Sequence, residues 1–484
     1  MTLEGKMFFN DLREFIGEMD RLEDCRIVEN ADWNLEIGLI TEWQSHIQNN
    51  KLLVFDKIKD YPPGFRVATN LFSTPKRTAT ALGLPADLKR LDIVKALKEK
   101  LKEGYSRLIS PVEIESAPVK ENIYLHEKVD LFRFPTPKWH NRDGGRYIGT
   151  GHVVITKDPD EGYVNLGTYR VQIQDKSTVT IWMVPGRDGD LMIRKWWAKG
   201  LPAPVAIATG LDPILWGSGH YDLPWGISEY DYAGGYRGKP IEVTKGVTVD
   251  LPIPARAEIV LEGEMIEGEA GPEGPFGEFT GYYATGVTQV PAVRVKAILH
   301  RNHPILHGAP PLLIASTWTL AHSYRRAANC WIELDKLISG ITGVWLQDYG
   351  SFRPIVISIK QMWDGHARQV AMLALSNHQT GFNNRFIIIV DDDIDPSDPQ
   401  QVLWALATRC DPETQIDIIR GTRGSVIDPV LHPDKKKRGE LGLSTAMILA
   451  CKPYSWIKDF PPTVMSSPEE LKSVQEKWGK FFEQ

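Results

Sequence analysis

Glu273 and Glu278 stand five residues apart and enclose Gly274-Pro275-Phe276-Gly277. Proline has no amide hydrogen and glycine leaves helical dihedrals cheaply, so a shaped loop is expected here rather than a helix. Such a loop lets the backbone approach a ligand and can aim both carboxylates to one side. Two carboxylates do general acid–base work when their surroundings push their pKa values apart. Taken alone, the pattern is more often a hairpin connection with solvated glutamates. A second segment is Asn165-Leu166-Gly167-Thr168-Tyr169-Arg170. Arg170 opens a strand, and a guanidinium on a rigid element can grip a carboxylate at two points and lower its pKa. Asn165 offers an amide oxygen to a hard metal or to the surroundings of a phosphate. A strand start with a surface ion pair is the plainer reading of this stretch alone. In the third segment, Trp225-Gly226-Ile227-Ser228-Glu229, a glutamate follows a turn, where it could ligate a metal or simply face water.

Rigid elements must position such groups, and hydrophobic periodicity marks them. Phe8, Leu12, Phe15 and Met19 recur at helical spacing within Met7–Leu22. Lys51–Asp56 reads as a strand closed by the turn Tyr61-Pro62-Pro63-Gly64, and Asp87–Glu103 as a helix. Ser116–Arg142, rich in proline and polar residues, is expected to cross the surface. From Tyr147 to Leu306 the character is that of strands: Arg170–Gln174, Val179–Val184, Ala257–Leu261 and Ala292–Leu299, with helix Leu191–Lys199 inserted. This predicts a mixed or antiparallel sheet able to curl into a barrel. Beyond Ala309-Pro310-Pro311, strands Arg353–Ile359 and Phe386–Val390 alternate with helices Leu334–Ile338, His366–Leu375 and Pro399–Thr408, the pattern of an α/β unit with a parallel sheet. A domain boundary is expected near Ser316–Ser323. Ser467-Pro468-Glu469-Glu470 combines an N-cap, proline at the first helical position and glutamate at the third, a capping box that starts a final helix.

The 484 residues include 42% hydrophobic and 24% charged side chains, which excludes wholesale disorder and a small stapled scaffold. With 56 Lys and Arg against 62 Asp and Glu, the net charge of −6 argues against a nucleic-acid binder. The four cysteines, Cys25, Cys330, Cys410 and Cys451, are too scattered for a zinc knuckle or a disulfide framework. Free thiols, no signal-like N-terminus and no long apolar run predict a cytoplasmic protein that does not enter the membrane.

In order along the chain, the three candidate segments resemble the UbiD family of decarboxylases, which use prenylated flavin mononucleotide. The match comprises N-x-G-x-x-R at 165–170, Ser-Glu before a glycine-rich stretch at 228–229, and E-G-P-x-G-E at 273–278. Asn165 and Glu229 are 64 residues apart, Glu229 and Glu273 are 44 apart, and both separations agree with the family. DGGRYIGTG (Asp143–Gly151), ARAEIVLEGE (Ala255–Glu264), and IIIVDDDIDPSD (Ile387–Asp398) leading into VLWALATR (Val402–Arg409) extend the resemblance over most of the chain.

The resemblance implies a mixed α/β (α+β) fold. Residues 1–318 would form an N-terminal and prenylated-FMN-binding split-barrel region, 319–460 an α/β oligomerisation domain, and 461–484 a C-terminal docking helix. It implies a carboxy-lyase acting reversibly and without oxidation on an aromatic or heteroaromatic acid through a covalent prenylated-flavin adduct. Arg170, Glu273 and Glu278 would be the catalytic trio, with Arg170 paired to Glu273 and Glu278 the proton donor. An aryl-carboxylate coenzyme A thioester, an α,β-unsaturated acid, or a non-catalytic subunit of a carboxylase complex remain alternatives. Cofactor contacts are expected from Asn165, Thr168, Tyr169, Arg170, Arg187, Ser218, Gly219, Tyr221 and Glu229. Mn²⁺ (or Mg²⁺) would bind at Asn165, Asp188 and Glu229, and K⁺ on carbonyls around Ser218–Tyr221. Asp188 falls where the family carries a histidine; a carboxylate suits a hard cation equally, and the alternative is a solvated Asp188 with Arg187 on the phosphate. A UbiX-type prenyl-flavin synthase would supply the cofactor, and a homodimer or homohexamer is expected.

Many relatives have an acidic residue soon after the Pro-Pro, whereas His307-Gly308-Ala309-Pro310-Pro311-Leu312-Leu313-Ile314 is apolar there, which suits a flat aromatic substrate. Trp318 and His322, four apart, could share a helical face beside Tyr324. Asp391–Asp393 and Lys435–Arg438 are expected to be solvated.

Overall fold

Apolar residues on both faces of its strands build the central sheet. Val153, Ile155, Ala206, Ala208 and Val260 point into one core, while Val154, Val205, Ile207, Ile259 and Leu261 point into another. Successive side chains of a strand face opposite ways, so strands that bury apolar residues on both sides lie in a sheet covered on both faces. The computed structural model describes residues 8–47, 49–104, 107–313, 317–347, 353–377, 380, 384–464 and 466–482. The sheet runs in the order Tyr147–Gly149, Val171–Ile173, Thr178–Ile181, Thr288–His300, Ile259–Glu273, Ala203–Thr209, His152–Lys157, Val164–Gly167. All of its pairings are antiparallel.

The edge strand Val164–Gly167 connects through Thr168, Tyr169 and Arg170 alone to Val171–Ile173, which lies next to the opposite edge. Four Cα steps reach at most about 14 Å, so the two edges must face each other. The sheet is therefore a split barrel, and residues 168–170 bridge the split.

Around it, the first helix is Leu12–Arg21, started by Asp11, whose side chain accepts from the Glu14 N–H. It begins later than the periodicity suggests, since Phe9 lies in the core ahead of the helix and Met7 lies outside the described residues. Strands Cys25–Glu29, Leu52–Asp56, Arg66–Thr69 and Ile305–His307 form a small second sheet. Helix Arg90–Gly104 packs on helix Thr317–Asp335, with Lys98 and Asp335 2.5 Å apart. Ser116–Arg142 is more than a surface crossing: Asn122–Leu125 within it pairs with Thr288–His300.

The C-terminal sheet runs Ile341–Leu346, Pro354–Ile359, Phe386–Asp391, Gly442–Ala450, Ile416–Arg423, parallel at its centre and antiparallel at both edges. Of the helix expected over Leu334–Ile338 only Leu334 and Asp335 are helical, as the end of Thr317–Asp335, and the boundary placed at 318 falls inside that helix. At the end of strand Phe386–Asp391, Asp392 is exposed as expected, but Asp391 and Asp393 are held by cations. Arg409, almost fully buried, binds Asp391 at 2.8 Å and Asp393 at 2.7 Å, and Lys452 adds a second cation to Asp393. The final helix Pro468–Phe482 starts on the expected reciprocal pair, Ser467 N–H to Glu470 Oε2 at 2.7 Å and Glu470 N–H to Ser467 Oγ at 3.2 Å. Among the described residues no helix is long and apolar enough to cross a membrane.

Candidate active site

Arg170 projects from the bridge across the split, and Glu273 is the last residue of strand Ile259–Glu273 rather than part of a loop. The guanidinium grips Glu273 with both prongs, Nε to Oε1 at 2.7 Å and Nη2 to Oε2 at 2.8 Å. Its third nitrogen, Nη1, donates to Glu278 Oε1 at 2.5 Å. Glu273 is wholly buried and Glu278 is 7% exposed. Trp182 and Phe276 cover the guanidinium, with ring centres 4.7 and 5.7 Å from Cζ. One cation thus faces two buried carboxylates, an arrangement that leaves room for one proton on the pair. Burial pushes the Glu278 carboxyl up from its ordinary range. Arg170 pulls against that shift, and the charge on Glu273 adds to it.

Glu278 sits on the glycine-shaped loop that joins the paired strands Ile259–Glu273 and Thr288–His300, so the hairpin connection forms, but its glutamates are buried rather than solvated. Gly274 has φ +90°, a conformation that costs a side chain energy, and the Gly274–Pro275 bond is cis. Gly144 packs so closely that a Cβ there would lie 1.9 Å from the Gly274 carbonyl oxygen, and its N–H donates to the Pro275 carbonyl at 2.8 Å. The Gly274 N–H is taken by Gln172 Oε1 at 3.0 Å. Sequence reasoning missed two residues at this spot. Tyr147, fully buried, stacks on Phe276 with ring centres 3.9 Å apart and donates its hydroxyl to Glu273 Oε1 at 3.0 Å. His152 contacts the Tyr169 carbonyl through Nε2 at 2.8 Å, and burial pushes its imidazole down to about 4, so the ring is neutral and donates. Tyr147 lies in the quoted DGGRYIGTG stretch and His152 immediately follows it, but nothing local singles out either.

On the other edge of the split, Glu229 reaches the strand that carries Asn165. Ser228 caps helix Glu229–Arg237, which places Glu229 in its first turn, and Glu229 Oε2 accepts from the Leu166 N–H at 2.7 Å. Burial pushes Glu229 up to about 8, and the charges of Asp188 and Asp231 add to the shift. The Asn165 side-chain nitrogen is buried without a partner. Asp188 opens helix Asp188–Ala198, earlier than the expected Leu191 start, and Tyr163 Oη lies 3.5 Å from its Oδ2. Arg187 pairs with Asp222 at 2.5 Å, half exposed. The Tyr169 ring lies against Gly167 and Gly189, where a Cβ would come within 2.4 and 2.9 Å of it. Thr168 is half-buried. Ser218 Oγ donates to the Ile214 carbonyl at 2.8 Å, and the Ser218 carbonyl accepts from the Tyr221 N–H at 2.9 Å, so both are engaged in closing their own helix end. Gly219 approaches Val153, and the Tyr221 ring faces Tyr232 and Arg325. A cavity of about 50 Å³, lined in part by Phe72, Trp216, His220, Tyr221 and Arg325, opens beside this turn.

Ile314 and the side chain of Trp318 lie outside the described residues. His322 packs edge-on to His220, with ring centres 5.0 Å apart, and Tyr324 is fully buried. The basic run is not wholly solvated either. Lys436, on the short helix Pro433–Lys437, donates to the Ala284 carbonyl at 3.1 Å, and its charge acts on Glu278.

Family models for 3-octaprenyl-4-hydroxybenzoate carboxy-lyase match the chain three times: the N-terminal domain over residues 17–97, the Rift-related domain over 110–312 and the C-terminal domain over 321–451. Among curated relatives, a phenolic acid decarboxylase of Bacillus subtilis is 31% identical over 97% of this chain and 100% of its own length. A pyrrole-2-carboxylic acid decarboxylase of Pseudomonas aeruginosa is 32% identical over 89% of each chain. Among solved structures, the UbiD-class enzyme HmfF from Pelotomaculum thermopropionicum in complex with FMN superposes with a TM-score of 0.85 at 28% identity, covering 96% of this chain and 98% of that one. An evolved dimeric form of HmfF, in complex with prFMN, superposes with a TM-score of 0.81 at 27% identity, again over 96% and 98%. Similarity of this extent, joined to a split barrel with a guanidinium between two buried carboxylates, places the chain in the UbiD family of carboxy-lyases.

Proposed function

We propose that this carboxy-lyase reversibly and non-oxidatively decarboxylates an aromatic or heteroaromatic carboxylic acid on prenylated FMN, with Glu278 as the proton donor. One observation carries the assignment of roles: Glu273 takes three donors, two from Arg170 and one from Tyr147, while Glu278 takes one. Hydrogen bonds to a carboxylate favour its ionised form, so the proton belongs on Glu278. An acid held protonated by burial can deliver that proton to the carbon that carbon dioxide leaves. Glu273 stays ionised and holds Arg170 in place. Trp182, Phe276 and Tyr147 keep water from the carboxylates.

The bound prenylated flavin would supply the electron sink for the departing carboxylate. The residues present fit that group. The Asn165 amide N–H is orphaned, which suits a phosphate oxygen, its amide oxygen is a hard donor, and Glu229 is a buried carboxylate whose upward shift the charges of Asp188 and Asp231 add to. This donor set calls for a hard cation such as Mn²⁺ or Mg²⁺, with Asp188 completing it and Arg187 near the phosphate. K⁺ would take carbonyls around Ser218–Tyr221. Among the described residues no three His, Cys, Asp or Glu side chains form a metal cluster, so the Asn165 amide oxygen would be needed beside the carboxylates to hold the cation. Asp188→Ala is expected to lower both Mn²⁺ and flavin content of the purified protein at least about tenfold by metal analysis and absorbance; unchanged metal content removes Asp188 from the ligand set.

Assembly into homodimers or homohexamers is supported by the last helix. Leu471, Val474, Trp478 and Phe481 lie exposed along it at spacings that make one apolar stripe. The function is tested by producing the chain together with a UbiX-type prenyl-flavin synthase. Benzoic, pyrrole and furan carboxylic acids are then supplied in D₂O. Carbon dioxide release with deuterium at the vacated ring position is expected, and neither from any arene acid by flavin-loaded protein overturns the reading.

A further inference from the structure

Tyr147 enters the pair from a strand that carries neither carboxylate. Its hydroxyl lies 3.0 Å from Glu273 Oε1 and 3.1 Å from Gln172 Oε1. Gln172 Oε1 already accepts from the Gly274 N–H, which fixes the amide with its oxygen toward the phenol. A phenol has one hydrogen to give. Of two acceptors, an ionised carboxylate takes it in preference to a neutral amide, because charge-assisted hydrogen bonds are stronger. Protonated Glu273 would lose that preference and, with it, the charge that Arg170 grips at two points. The groups facing Glu273 are Arg170 from the bridge, Glu278 from the loop and Tyr147 from strand Tyr147–Gly149; Asp143 acts on Tyr147 by charge, and Lys436 acts on Glu278.

We propose that Tyr147 is a positioning residue that confines the pair's single proton to Glu278 by committing its own hydroxyl to Glu273. The inference rests on the reading of Glu278 as proton donor and adds the device that makes the two carboxylates unequal. Coupled acids titrate in two macroscopic steps. The upper step places the first proton, on Glu278, and Tyr147 donates to ionised Glu273 both before and after it. The lower step protonates Glu273 and breaks the tyrosine bond. Tyr147 therefore acts on the lower step and hardly on the upper.

Tyr147→Phe keeps the ring stacked on Phe276 and removes only the donor. The test follows the carbonyl stretch of protonated carboxylic acid by infrared difference spectroscopy of the flavin-free protein across pH, with Glu278→Gln to assign the bands. The lower midpoint is expected to rise by about one pH unit in Tyr147→Phe, the upper to stay within about a third of that, and the melting temperature to hold. Replacement of Tyr147 by 3,5-difluorotyrosine, a stronger donor, is expected to move the lower midpoint down. An unmoved lower midpoint overturns the proposal, as does an equal shift of both midpoints, which marks general loosening of the site. The measurement needs no turnover. Failure to release carbon dioxide from any arene acid would refute the decarboxylase reading while leaving the infrared result to stand or fall separately.

Discussion

Replacing Glu278 by glutamine is expected to leave the protein folded and the flavin bound while decarboxylation falls by about 10²–10⁴-fold, the range that a positioned general acid contributes. Glutamine has the same shape, and its amide oxygen can still accept from Arg170 Nη1, which reaches Glu278 at 2.5 Å in the native protein. What it lacks is a transferable proton. Deuterium incorporation into the product arene should vanish with turnover. Retained exchange in this variant contradicts the donor role. The pH dependence of the native enzyme has a set sign. As a proton donor Glu278 would have to be protonated to act, and burial raises its pKa, so the rate is expected to be full below the elevated value and lost as pH rises through it. A rate that climbs through the same window would point to a base instead.

Arg170→Ala is expected to cost about 3–5 kcal/mol of stability, the cost of breaking a buried pair, and to abolish activity. Glu273 has no exposed surface and Glu278 has 7%, so without the guanidinium both would hold charge in a dry site. Tyr147 remains as a neutral donor to Glu273, and Lys436 acts on Glu278 from a distance. In the variant both folded-state pKa values rise above the unfolded values. The native state then binds more protons than the unfolded chain, and stability falls as pH rises. The deficit relative to the native protein should therefore be small near pH 4.5 and large at pH 8, in a region where unfolded glutamates are ionised. Thermal melts at the two pH values measure it. A deficit independent of pH would mean that Arg170 contributes packing rather than charge. Arg170→Ala combined with Glu273→Gln should recover part of the stability at pH 8 and none of the activity.

How much of this was visible beforehand depends on the range of the interaction concerned. The capping box at Ser467–Glu470, the break at Gly274-Pro275 and the strand character of residues 147–306 follow from dihedral preferences and side-chain alternation within a few residues, and the structure reproduces them. Element ends were less legible. Helix Asp188–Ala198 starts three residues before its first strongly apolar position, which brings Asp188 into its first turn. Strand Ile259–Glu273 runs to Glu273 because its pairing with Thr288–His300 continues past a bulge that no local pattern announces.

The types and spacing of Arg170, Glu273, Glu278, Asn165 and Glu229 stand in the sequence by themselves, and so do the alternation and turn signals that make a strand-rich centre followed by an α/β unit. Tertiary structure alone decided that one guanidinium holds both acids, that Tyr147 reaches Glu273 from 126 residues away, that Arg409 neutralises Asp391 and Asp393, and that Lys436 leans on the loop of Glu278. The physical reason is that local conformation depends on neighbours along the chain. The protonation state of a buried carboxylate depends on which donors and charges the folded backbone brings within a few ångströms, and that proximity has no signature in the order of residues.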